Sequence, residues 1–171
     1  MSDLILPLSI VMSIVSFSLI AKWYVMPKLS TLPRDQAFAP LLLFHSSRHI
    51  GMAFLIVGVT AEPLDLRFAN PAAYGDLLAA VLAFMALAAL RLRWPFAIPL
   101  VWIFNIEGLL DLVNALFQGF RYVPDGHFGA TYFIPAVVVP ALLVSHVMIF
   151  VLLLRRDSAA ETVGVPQVGT V

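Results

Sequence analysis

Apolar residues fall along this chain in five long runs, separated by short clusters of charge. The runs extend over about Leu4 to Ala21, Ala37 to Ala61, Ala72 to Leu90, Trp94 to Phe120 and Ala130 to Leu154. At about 1.5 Å rise per residue, each is long enough for a hydrocarbon core of about 30 Å. The pattern predicts an all-α fold, a polytopic transmembrane bundle of five helices. A single domain over residues 1–156 accounts for all five runs, and residues 157–171, small and polar with Gly and Pro, are expected to form a disordered cytoplasmic tail. The first run has no basic stretch before it and no small-residue cleavage site after it. It is therefore expected to be a retained helix rather than a signal peptide.

Composition sharpens this picture. Hydrophobic residues make up 61% of the chain and charged residues 12%, against about 25% charged in soluble domains. Mean hydropathy is +0.97, so lipid is the expected surrounding. A formal net charge of zero gives no basic surface for nucleic acid. The absence of cysteine excludes disulfides, thiolate ligands and iron–sulfur clusters. Lys22, Lys28, Arg34, Arg91, Arg93, Arg155 and Arg156 fall on one side of the five crossings, against Arg67 and Arg121 on the other. Basic residues favour the cytoplasm, so the N-terminus is expected outside and the C-terminus inside. Trp23, Tyr24, Trp94, Tyr122 and Tyr132 fall at span ends, where amphipathic rings anchor helices at the interface.

The fourth run carries the chemistry. Asn105, Glu107, Asp111 and Asn114 lie inside it, and a charged side chain at bilayer depth costs about 2.5–3.5 kcal/mol on insertion scales. Buried partners are needed, and His45, Arg48, His49 and His146 are available. Glu107, Asp111, Asn114 and Gln118 follow i, i+4, i+7 and i+11, one continuous stripe. Asn105 lies about 200° from Glu107 and is expected to meet a different neighbour. Measured from the cytoplasmic ends, His146 lies about 12 Å in, His49 about 14 Å, Glu107 about 18 Å and Asp111 about 24 Å. His49, His146 and Glu107 can thus share a layer. The third run, with only Asp76 near its start, is expected to be scaffold. Ser9, Ser13 and Ser16 share a face suited to close helix packing. Pro135 and Pro140 are expected to kink the fifth helix.

Several kinds of chemistry fit these residues. His45, His49 and His146 with the carboxylates form a ligand set suited to zinc or non-haem iron. A b-type haem held by His49 and His146, with Gly51 and Gly108 giving room for a flat ring, is a variant of the same idea. The Glu107 to Gln118 stripe suits a proton or ion pathway. In the plainest arrangement Arg48 pairs with Glu107 or Asp111, and the remaining polar groups bond across helices. No phosphate-binding glycine loop, nucleophile elbow or zincin motif is present.

The stretches Arg48-His49-x-Gly51, Asn70-Pro-Ala-Ala-Tyr-Gly-Asp76, Trp102-x-Phe-Asn105 through Asp111 to Ala115, and Tyr132-Phe-Ile-Pro135 with His146 resemble a group of small bacterial integral membrane proteins of uncharacterised function. That resemblance covers about residues 40 to 156 and implies a bacterial cytoplasmic membrane, with no activity attached. The His, Asp and His pattern is also loosely similar to zinc hydrolases of the ceramidase and adiponectin-receptor type. Those have seven helices and a terminal HxxxH, whereas the histidine pair here falls on the second helix. The expected function is binding of a small ligand or metal at a site built from Arg48, Asn105, Glu107, Asp111 and Asn114 with the histidines. Alternatives are a membrane-embedded metalloenzyme or b-type haem protein, a proton-coupled carrier, and a non-catalytic subunit of a membrane complex. The sequence leaves open whether the protein is an enzyme.

Overall fold

In the computed structural model, residues 4–155 are described, and among them the only regular structure is helical. Arg156 and the expected disordered tail lie outside the described residues. We number the helices in chain order. Helix α1, Ile5–Leu29, contains a π turn at Ala21–Val25. Helix α2, Arg34–Ser46, continues without a break as a 3₁₀ helix over Ser47–Leu55. Helices α3, Leu66–Arg91, and α4, Ala97–Tyr122, are uninterrupted. Helix α5, Gly129–Leu154, opens with a 3₁₀ turn and a π turn at Ile134–Val138 before its regular part. The helices α1, α3, α4 and α5 are each long and apolar enough to cross a membrane.

The second run therefore differs from the continuous apolar helix that its pattern predicts. Ser46 and Ser47 donate from Oγ to the carbonyls of Leu43 and Phe44 at 2.8 and 2.7 Å. Such back-bonding competes with the helix ladder, and the tighter 3₁₀ winding begins at this point. Helix α3 starts earlier than expected. Asp65 caps it by accepting from the Arg67 backbone N–H at 2.9 Å, so Arg67, Asn70 and Pro71, which precede the third apolar run, belong to its first turns. The π turn of α5 spans Pro135 and ends just before Pro140. Proline cannot donate to the ladder, and the wider turn absorbs the mismatch.

The chain runs up and down. At one end, Arg34 donates to the Leu153 carbonyl, and Arg155 donates to those of Ser30 and Leu32. At the other end, the Ala61 N–H bonds to the His127 carbonyl and the Ala130 N–H to that of Val59, tying the two connecting loops together. Alanines 79, 83 and 86 of α3 are fully buried, and such small residues let helix backbones approach closely. Helix α1 is the outlier: it packs mainly on α5, and most of its surface is exposed. Ser9 does serve its packing, through a 3.0 Å bond with the Tyr132 hydroxyl.

Apolar packing falls into two clusters. One surrounds Phe38, Leu42, Val101, Phe104 and Ile149 towards the end rich in Lys and Arg. The other surrounds Phe54, Phe68, Leu112, Phe128 and Ile134 towards the opposite end. A buried polar layer separates them.

Candidate functional site

Arg48 is the centre of that layer. Its guanidinium is completely buried, because the 3₁₀ segment turns it inwards between α3, α4 and α5. Nε donates to Asp76 Oδ1 at 2.8 Å and Nη2 to Asp111 Oδ2 at 2.6 Å. Nη1 donates to the Gly108 carbonyl at 3.0 Å and faces His146 Nε2 at 3.4 Å. Three glycines make room for this arrangement. A Cβ on Gly51 would overlap the Asp76 carboxylate, and one on Gly75 would overlap that of Asp111. A Cβ on Gly108 would lie 2.8 Å from both Arg48 Nη1 and His146 Cε1. Gly51 and Gly108 thus accommodate protein side chains in the places where a flat cofactor ring was expected.

His146 is fixed by Asn105. The Asn105 amide Nδ2 donates to the His146 carbonyl at 3.2 Å, which leaves Asn105 Oδ1 to accept from His146 Nδ1 at 2.7 Å. The proton therefore sits on Nδ1, and Nε2 offers its lone pair to Arg48. His45 stacks at a tilt on His146, with ring centroids 4.2 Å apart, and its Nε2 bonds Ser145 Oγ at 3.1 Å. His45 Nδ1 is buried without a hydrogen-bond partner among the described residues. Among the described residues, no third group orients this imidazole as the base of a nucleophile would need.

His49 does not join this group. A 3₁₀ helix advances about 120° per residue, so residues three apart are eclipsed. Arg48 keeps the direction of His45, while His49 is turned away, exposed, with its Nδ1 against the Ser46 carbonyl at 3.1 Å. The expected pairing of His49 with His146 across a metal or a haem is not formed. Among the described residues, no three His, Asp or Glu side chains are grouped so as to hold a metal ion.

The stripe on α4 is also divided. Val101, Phe104, Asn105, Gly108, Leu112 and Gly119 define the buried face of this helix. At 100° per residue, Asp111 lies about 80° from its centre and Asn114 about 140°. Asp111 therefore reaches Arg48. Asn114 is exposed, and accepts from Gln118 Nε2 at 2.8 Å. Glu107 lies between these extremes: it is half-buried, feels the charges of Arg48 and Asp76, and its Oε2 is buried without a hydrogen-bond partner among the described residues.

Asp76 is the residue that reading for stripes overlooks. Counted from the true start of α3, it lies about 15 Å inside the helix, too deep for an unpaired carboxylate. Its Oδ2 packs against Gly51 and takes no hydrogen bond among the described residues, and the residue lines a crevice with about 30 Å³ of free space. Phe54, Phe68, Leu112, Leu116 and Val139 line that crevice, and Asp76 is the charged residue in its wall. A volume above about 10–15 Å³ admits a water-sized guest.

These features define a class: an all-helical protein with four membrane-capable helices and a buried Arg–Asp–His cluster at mid-length. The chain belongs to the family described as Domain of unknown function (DUF8737), whose family model matches residues 5–154. No curated protein and no solved structure matches it.

Proposed function

We propose that this is a five-pass protein of a bacterial cytoplasmic membrane, with its N-terminus outside, whose mid-membrane cluster binds a small ligand on Asp76. Five crossings are supported by the length of the second element. Taking 1.5 Å per α residue and about 2.0 Å per 3₁₀ residue, Arg34 to Leu55 extends about 37 Å. Its buried polar side chains lower its hydropathy without shortening it. The orientation is supported by the meeting of Arg34 and Arg155 with the connection between α1 and α2 at one end.

The observation that carries the ligand reading is Asp76 itself. Its Oδ1 is locked to a buried arginine, its Oδ2 accepts no hydrogen bond from the described residues, and the residue lines an apolar crevice. One guanidinium faces Asp76 and Asp111 directly, with Glu107 one turn away, so the cluster carries more carboxyl groups than its arginine can neutralise. That balance favours a small cation or a compact hydrogen-bond donor as guest. Methylammonium is a suitable probe. It should raise the Tm of the detergent-purified protein, and Asp76→Asn should abolish the rise. An unchanged Tm across millimolar methylammonium, ammonium and methanol would overturn the ligand reading.

Glu107 favours a second reading, proton-coupled transport. Its Oε2 is buried without a hydrogen-bond partner among the described residues, one turn along α4 from Asp111. Proteoliposomes containing an internal pH dye should then dissipate an imposed pH gradient faster than empty vesicles, and Glu107→Gln should remove the difference.

A further inference from the structure

A second site lies away from the polar cluster, between α1 and α5. An open groove of about 440 Å³ is walled by Ile14, Ser18, Met26, Val144, Val147 and Val151, with Lys22 as the charged residue in its lining. Its volume falls within the range of about 300–1,000 Å³ usual for small-molecule sites. The π turn at Ala21–Val25 lies at the lysine end. Such turns widen a helix locally and recur at functional positions.

The position of Lys22 gives the groove its chemistry. Trp23 and Tyr24 follow it, 59% and 64% exposed, as rings at a membrane interface are. An ammonium beside them can extend along its aliphatic stem to the level of the lipid phosphates. Lys28, Arg34 and Arg155 lie further towards the same end of the bundle. From Lys22 the groove follows α1 and α5 into the apolar zone, where its walls are aliphatic. We infer that the groove between α1 and α5 binds an anionic phospholipid, with an acyl chain along Ile14, Val144 and Val147 and the phosphate on Lys22. The charge complements an anionic headgroup rather than a zwitterionic one, and an aliphatic groove open along its side fits a chain entering from the bilayer.

Native mass spectrometry of the full chain tests this. Released from nanodiscs of equal phosphatidylglycerol and phosphatidylcholine with matched chains, the protein should retain phosphatidylglycerol preferentially. Lys22→Gln should lower that retention about fivefold, the weight of one interfacial charge, and Lys22→Arg should preserve it. Lys28→Gln, outside the groove, should change it much less. Val147→Trp, at an exposed position in the groove wall, should displace the lipid while the helical spectrum stays intact. Equal retention of the two lipids, or equal loss in Lys22→Gln and Lys28→Gln, overturns the proposal. So does a dimer that carries no lipid and dissociates on Val147→Trp, because a second copy would then fill the groove.

Discussion

Arg48 could be located in the sequence as the cation that the α4 carboxylates require, and Asp111 as one of its partners. Asp76 could not, because its depth depends on where α3 begins, and the apolar run starts only at about Ala72, after the Asn70-Pro71 pair. The three glycines have no periodic signature; they matter only once the side chains facing them are known. Removing one partner of a buried ion pair usually costs about 3–5 kcal/mol, because the other charge is left uncompensated. Arg48→Ala should therefore lower the Tm in detergent sharply, and adding Asp76→Asn and Asp111→Asn together should recover part of the loss. Strictly additive losses would show that the three residues do not act as a unit. Gly51→Ala should destabilise through overlap with the Asp76 carboxylate, by about 1–3 kcal/mol as overpacking does. The same change at Gly58, which has open space around it but a φ of 95°, separates backbone strain from crowding: its cost should not depend on whether residue 76 is Asp or Ala, whereas that of Gly51→Ala should.

Four helices were legible as elements because their apolar runs are long. The second was legible as a run but not as a change of winding, although Ser46 and Ser47 are the residues that announce it. That change decides which histidine enters the polar layer. A chain without cysteine makes the point testable with single replacements: His49→Cys should react with a membrane-permeant maleimide, and His146→Cys, fully buried, should stay protected until the protein is denatured. Comparable labelling of both would contradict the outward turn of His49. At the start of α3, the Arg67 side chain and backbone hold the Asp65 carboxyl down to about 2. A carboxyl depressed on folding stabilises above its unfolded pKa of about 4 and loses that contribution as pH falls towards 2. Hydrogen exchange, corrected for its intrinsic pH dependence, should accordingly show the first amides of α3 losing protection across that window, with no such step in Asp65→Asn.

For the molecule as a whole, the proposed orientation predicts that a reporter fused after Arg156 is active only in the cytoplasm. Periplasmic activity of that fusion would reverse the bundle and, with it, the placement of Lys22 at the cytoplasmic headgroups. The expectation rests on the imbalance of Lys and Arg, and charge asymmetry, as a property of the whole chain, is insensitive to errors in individual helix boundaries.

The two apolar clusters separated by a charged layer have a mechanical consequence. Each cluster holds its own half of the bundle by dispersion and burial, whereas Arg48, Asp76 and Asp111 are joined by directional bonds whose alternative partner is water. The layer is thus the seam along which the protein is easiest to wet. Helices α3 and α4 run unbroken through it and keep the two halves in register, so wetting would begin locally, and the crevice beside Asp76 is where the first water molecules would enter.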